Sequence, residues 1–401
     1  MTARRMLARV ALATAGMLAL LAGSWLVACG RAPDAPDAGW PPGALLSARR
    51  EAATDTLARL ARLEGTPLAH GATRLLAELP DCPELAAHAA DARGLAGAIG
   101  CAGDTEAVAG LRRYRGDADL ALALPVGDRR VGDGRAGDGP RVLVTAREQG
   151  DRTRLHVRWP DAATSPKLAS LLPGDAEAGA PVLVGRDPVL HARIRSEGLD
   201  LAALVAEGGQ ADELFRLRGE LLSSTLLDGS WEFALYPPAP GREMPRVAAA
   251  LGVRMAFAAR SASERFLDDV ESRWPVHRQE ASFHGQPGVC LPDLNLLPEL
   301  APCLVVGERA LVLGWNGESL AHALAPGPLA TPVVTNAAGR VEIDFARLAE
   351  ADRELTALQQ AGASHAADWP WRRWVARAAR AEGDDAVLVD VELLHDAGGD
   401  S

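Results

Sequence analysis

The stretch PRVLVTAREQGDRTRLHVRWP, Pro140–Pro160, decides the fold class. Its second half alternates Arg152, Arg154, His156 and Arg158 with Thr153, Leu155, Val157 and Trp159. A period of two places the first set on one side of a strand and the second on the other. Gln149-Gly150-Asp151 supplies a turn, so the stretch predicts a hairpin with one buried and one wet face, as in an antiparallel sheet.

Working outward, DLALALP from Asp119 reads as the preceding strand, separated from the hairpin by a Gly/Asp loop. A later segment, EFALYPPAPGREMPRVAAALGV, follows the same plan of strand, proline, loop, Pro-Arg-Val and strand, which raises a structural duplication. Ser261-x-x-Glu264 then predicts a capping box opening a helix through Glu271, and PCLVVGERALVLGW predicts a hairpin before a helix capped by Asn316. A strand at Val341–Phe345, two helices and a strand in DDAVLVDVELL complete the chain. Hairpin-plus-helix units argue for an α+β fold with mostly antiparallel sheet. Upstream, leucine spacing in Ala44–Glu64, then Ala69–Leu79, Glu84–Arg93 and Thr105–Arg113 predict helices. The expected organisation is therefore 1–28 as a signal, 29–43 as a Pro/Asp/Gly tether, and 44–115 as a small helical region. An α+β body over 116–401 follows, divisible near 240/241 into related subdomains.

The N-terminus carries Arg4, Arg5 and Arg9, an almost uncharged run over Val10–Ala28, and then Cys29, which is the order of a secretory signal. The run closes on Leu26-Val27-Ala28-Cys29, which resembles the lipobox of bacterial lipoprotein precursors. The resemblance implies that Leu26, Val27 and Ala28 are read by the signal peptidase and that Cys29 becomes the acylated first residue. It further implies attachment to the cell envelope through acyl chains. Gly30, where aspartate favours retention in the inner membrane, points to the outer membrane facing the periplasm. The cadence of residues 165–395 also resembles uncharacterised bacterial envelope proteins built from repeated α+β units, without a diagnostic motif.

Four cysteines follow Cys29, an even number suited to an oxidising compartment. Of the three possible pairings the local one is expected, Cys82 with Cys101 and Cys290 with Cys303. A straight helix over 83–99 would hold the first pair about 25 Å apart, so the chain must reverse between them, with Gly94 the expected break. Three prolines keep CLPDLNLLPELAPC irregular, so the second loop closes easily.

The formal charge of −11 becomes about −14 once the three signal arginines are removed, and no basic run remains to meet phosphate. Nucleic acid is therefore excluded as a partner. Gly132-Asp133-Gly134-Arg135-Ala136-Gly137 spells a dinucleotide fingerprint but is preceded by loop and leads into a strand, so no such cofactor is expected. Asp128, Asp133 and Asp138 are five apart, whereas calcium loops place ligands two apart. His277 and His284 are seven apart, which on one strand sends them to opposite faces, so no metal site is expected. Ser319 and His322 lie three apart on the Asn316-capped helix, without a nucleophile elbow. Asp268, Asp269 and Glu271 are candidate carboxylates whose use depends on spacing in three dimensions. Trp369, Trp371, Arg372, Arg373 and Trp374 form the most unusual stretch, expected as a helix capped by Asp368. Its aromatic and arginine side chains suit either packing on the sheet or a surface for a glycan, a headgroup or a partner protein.

The favoured function is a non-enzymatic envelope lipoprotein that binds or scaffolds. A lipid-anchored hydrolase with scattered catalytic residues and a carrier of hydrophobic cargo stay open beside it, the last needing an apolar concavity.

Overall fold

The computed structural model describes residues 45–61, 73, 76–77, 79–88, 99–101, 106–125, 141–160, 181–196, 225–242, 244–293, 301–325, 338–358, 371–380 and 386–395. These fall into two compact units. One holds the described residues up to Thr164 with His365–Ala376 and Arg380–Ser401, and the other holds Ser165–Ser364 with Arg377–Ala379. Residues 240 and 241 fall in the turn joining two paired strands of the second unit. The fold is mostly antiparallel sheet with few helices. Among the described residues no helix is long and apolar enough to cross a membrane.

The first unit begins with β1 (Leu45–Arg49), α1 (Arg50–Ala61), β2 (Glu84–His88), β3 (Ile99–Cys101), α2 (Glu106–Arg115), β4 (Leu120–Pro125), β5 (Arg141–Gln149) and β6 (Arg152–Pro160). The region expected to be helical thus contains three strands. β1 is an inner strand, paired antiparallel with β2 on one edge and β4 on the other, and Leu45, Leu46, Ser47 and Ala48 are all buried. Burial on both faces erases the alternation that would mark a strand, so a short apolar run reads equally well as helix. β2, with the sequence ELAAH, has helical propensity but takes its conformation from pairing with β1 and β3. The chain between Cys82 and Cys101 does reverse, as a β2–β3 pair; Gly94 lies outside the described residues.

The opening hairpin is present as predicted. Gln149 pairs with Arg152 across Gly150-Asp151, and Gly150 takes φ 61°, which a two-residue hairpin turn requires. Thr153, Val157 and Trp159 are buried, while Arg154 on the alternate face is exposed. β6 also pairs along its length with β16 (Ala386–His395), setting Val389 against Val157 and Val387 against Trp159. β15 (Trp371–Arg380) flanks β16, giving the order β15-β16-β6-β5-β4-β1-β2-β3. The stretch expected as a second helix near Trp371 is therefore a strand. Its Arg- and Ala-rich composition favours helix locally, and sheet pairing overrides it.

The second unit contains β7 (Leu190–Arg195), β8 (Leu227–Pro238), β9 (Pro245–Val253), α3 (Ala256–Arg273), β10 (Gln279–Phe283), β11 (Gln286–Cys290), β12 (Cys303–Val306), β13 (Ala310–Gly314), α4 (Gly317–Leu324), β14 (Gly339–Asp344) and α5 (Phe345–Leu358). Its strands run in the order β10-β11-β12-β13-β9-β8-β7-β14. α3 starts five residues before the expected capping box. Met255 occupies the N-cap position without a side-chain cap, and Ser261 falls inside the helix. α4 is capped as predicted, Asn316 accepting a hydrogen bond from the Ser319 amide at 2.8 Å. Gly229, at φ 94° in a β8 irregularity, has no room for a Cβ, which would run into the Ser196 carbonyl.

Period two organises the core of this unit. Ala248 and Ala250 of β9, Val312 of β13 and Val305 of β12 meet Leu320, Ala323 and Leu324 of α4 on one face. Leu251 and Val253 of β9, Leu311 of β13 and Leu304 of β12 meet Ala259 and Ala262 of α3 on the other. The α4 face is rich in alanine, so the helix lies close to the sheet and Leu320 is completely buried there. Leu320→Ala is expected to cost about 2–5 kcal/mol by emptying this contact, read as a lower urea midpoint for the transition of this unit. An unchanged midpoint would show that α4 does not carry the face.

Candidate functional site

The sequence gives β8 an odd feature: one glutamate, Glu232, within SWEFALY. Glu232 lies on the same face as Ala234 and Tyr236, and its side chain is only 4% exposed. A carboxylate taken out of water has to be satisfied by donors. Its Oε2 accepts from the amides of Val182 at 2.7 Å and Leu183 at 3.2 Å. Its Oε1 accepts from Nε2 of His191, on β7, at 2.6 Å. Register places Arg193 opposite Glu232 and Arg340 opposite Arg193, while Glu342 stands opposite His191. Arg340 donates to Glu342 at 2.8 Å. Burial pulls the half-buried Arg193 guanidinium below the usual arginine range, Glu232 opposing and Arg340 reinforcing that shift. The result is a polar ladder across β8, β7 and β14, beside the alanine-rich contact with α4.

This carboxylate works as a clip. The segment it grips continues to Val184 and Gly185, whose amides both donate to the Ala323 carbonyl at the end of α4. Glu232 thus holds the strap 182–185 against the sheet while the strap holds α4. The signal for it in the sequence is an acid flanked by apolar residues in SWEFALY, which belongs to no spaced motif.

The residues singled out from sequence are not assembled into a catalytic group. Ser319 is fully buried and its Oγ accepts from the Val247 amide at 3.3 Å. His322 is engaged at both ring nitrogens. Arg246 donates to Nδ1 at 2.9 Å, so the ring is the neutral Nε2–H tautomer, and Nε2 donates to the Arg186 carbonyl at 3.1 Å. Burial, then the Arg246 charge, hold His322 below its ordinary range. Tyr236 meets the ring edge-on with centroids 4.6 Å apart, and burial pushes its hydroxyl up. His284, in the β10–β11 turn at φ 50°, donates from Nε2 to the Ala321 carbonyl at 2.8 Å, while His277 precedes β10 and is exposed. Among the described residues no group of three or more His, Cys, Asp or Glu is placed to hold a metal ion. Glu271 receives the Arg278 amide at 2.6 Å and its Nε at 2.8 Å, and Arg278 also binds Asp268. The Arg278 guanidinium holds Glu271 below the usual carboxylate range.

Cys82 and Cys101 are disulfide-bonded with Cα atoms 5.7 Å apart, and Cys290 and Cys303 with Cα atoms 4.0 Å apart. The second pair joins directly opposed residues of β11 and β12. Of the aromatic stretch, Arg372 is exposed, Arg373 is half-buried and the Trp374 indole nitrogen is buried on β15. Trp371 opens the strand, and Trp369 lies outside the described residues. So do Leu26, Val27, Ala28 and Cys29, the Gly132–Gly137 fingerprint, and Asp128, Asp133 and Asp138. Comparison of the chain with family models, with curated proteins and with solved structures finds no match.

Glu232→Ala is expected to cost about 2–3 kcal/mol, because it strands donors that burial denies to water, and to speed amide exchange at Val182 and Leu183. Normal exchange there would contradict the clip. A second expectation concerns two histidines with separate partners. His156 on β6 faces Asp390 on β16 at 2.6 Å, and that hydrogen bond raises it above the ordinary 6.5. Its contribution to stability is complete below the unfolded value and is lost as pH rises through the raised folded value. His322 runs the other way. Its neutral arrangement holds above the unfolded value and is lost as pH falls through the lowered folded value. Imidazole titration by NMR is expected to place His156 above His322; the reverse order would contradict both environments.

Proposed function

We propose that the chain is a bacterial envelope lipoprotein, held by acyl chains on Cys29, whose body binds or scaffolds in the periplasm without catalysing a reaction. The observation that carries this reading is Leu26-Val27-Ala28-Cys29 at the end of an apolar run, followed at once by Arg31, Pro33, Asp34, Pro36 and Asp37. A cleaved, acylated start needs the thiol at that place; a membrane-spanning anchor has no use for it. One acyl chain binds a membrane only marginally, and the two or three that the lipoprotein resemblance implies hold it stably. The two disulfide-bonded pairs support the reading, because such bonds persist in oxidising compartments such as the periplasm. Gly30 supports the outer membrane as the destination.

The non-enzymatic part rests on how the candidate groups are used. Glu232, His191, Ser319, His322 and Glu271 each spend their hydrogen bonds on the fold, on backbone amides, carbonyls or neighbouring side chains. In the same reading the two Pro-Arg-Val hairpins, β4–β5 and β8–β9, descend from one duplicated unit.

The test is metabolic labelling with an alkyne fatty acid. Wild-type protein is expected to take up label that resists hydroxylamine in part, since one chain is amide-linked, and Cys29→Ser is expected to take up none. Equal labelling of the two, or no label in either, would remove the acyl anchor.

A further inference from the structure

The His322 ring ties the strap to the end of α4. Its Nδ1 accepts from the Arg246 guanidinium at 2.9 Å, and its Nε2 donates to the Arg186 carbonyl at 3.1 Å. The two strap residues before Arg186, Val184 and Gly185, donate their amides to the neighbouring Ala323 carbonyl, both at 2.9 Å. Gly185 lies so close to the His322 carbonyl and the Tyr236 hydroxyl that a Cβ would have no room. This end of the strap therefore hangs on two consecutive residues of α4, one through its side chain and one through its backbone. The other end is pinned separately, by Glu232 on the Val182 and Leu183 amides.

The tie accepts only a neutral ring. A guanidinium keeps its proton and can only donate, so a protonated Nδ1 would set donor against donor and charge against charge. Arg246 is itself fixed, its Nε donating to the Pro237 carbonyl at 2.9 Å. The groups around the ring have prior partners. Asp187 of the strap pairs with Arg347 of α5 at 2.6 Å, and Glu318 of α4 lies 4.0 Å from Arg242 of the β8–β9 turn. On β8, Tyr236 meets the ring edge-on, and Glu232 beyond it is taken by its two amides and His191 of β7. His284 in the β10–β11 turn holds the Ala321 carbonyl through Nε2, a bond that neutral and charged imidazole both make. A charge on His322 thus acts at one place, the end of the strap that α4 holds.

We propose that this junction is an acid-operated latch: protonation of His322 drives its ring off Arg246, breaks the bond to the Arg186 carbonyl and releases residues 184–187 from α4 while the sheet stays folded. The sign follows from the surroundings. Burial, then the Arg246 charge, hold His322 below its ordinary range, so the latched state binds this proton less tightly than the opened one, and opening grows as pH falls. Release uncovers the Tyr236 end of the core, where the strap lies against β8. The latch belongs to the folded body and does not depend on acylation of Cys29.

Amide hydrogen exchange of the full chain, expressed as protection factors over a descending pH series, reads the latch at Val184 and Gly185. The Val189 amide, which donates to the Leu235 carbonyl at 2.9 Å inside the sheet, is the reference for global opening. Protection at Val184 and Gly185 is expected to fall by up to about tenfold for each pH unit between the ordinary histidine range and the lowered value of His322, then to level off, while Val189 keeps its protection. His322→Gln, whose side chain both accepts and donates but does not titrate, is expected to hold the strap at every pH in the series. Arg246→Gln removes the opposing donor charge, so His322 is expected to titrate at higher pH without loss of protection, its charged ring still donating to Arg186. Protection at Val184 and Gly185 that persists through the wild-type His322 titration, loss shared equally by Val189, or loss undiminished in both variants would overturn the proposal. The readout is confined to the strap, so a failure of the acyl anchor leaves it interpretable.

Discussion

A carboxylate buried in a sheet has to be surrounded by donors, and Glu232 meets that demand with two amides and a histidine. Satisfying the charge fixes the 182–185 strap, and the strap receives the end of α4 through two hydrogen bonds to Ala323. α4 in turn seals the alanine-rich face of β9, β12 and β13. One polar requirement on β8 therefore orders a backbone segment, a helix and a core face. On the opposite face, among the described residues, Ala259 and Ala262 of α3 pack on Leu251, Val253, Leu304 and Leu311.

The parts of this fold that could be read from sequence are those with one wet side. β6 showed its alternation because its arginines face solvent, and the β12–β13 hairpin and the Asn316 cap were visible through their turn and cap residues. Strands buried on both faces, or rich in alanine and arginine, were hidden. β1 lacks alternation, while β2 and β15 carry helical propensity that pairing overrides. The local disulfide pairing was legible, and so was the need for a chain reversal, but not its form as two strands. The Glu232 clip stayed out of reach because its donors come from Val182, Leu183 and His191, some 40 to 50 residues away, and two of them are backbone amides that no side-chain motif can announce.

Electrostatics divides the surface in the same physical terms. Opposed charges pair between β6 and β16, where His156 meets the directly opposed Asp390 and Arg152 reaches diagonally to Glu392. Exposed pairs of this sort contribute little to stability, and their value is solubility and pH response.

The central claim is that a disulfide-stapled sheet protein is fixed to a membrane through Cys29. The most direct measurement is the intact mass of protein extracted from membranes, with thiols alkylated before and after reduction. The account predicts a chain beginning at Cys29 with added acyl mass, unmodified by alkylation until reduction releases the four thiols of Cys82, Cys101, Cys290 and Cys303. A chain that still begins at Met1 or Thr2, without acyl mass, or that alkylates before reduction, would contradict it.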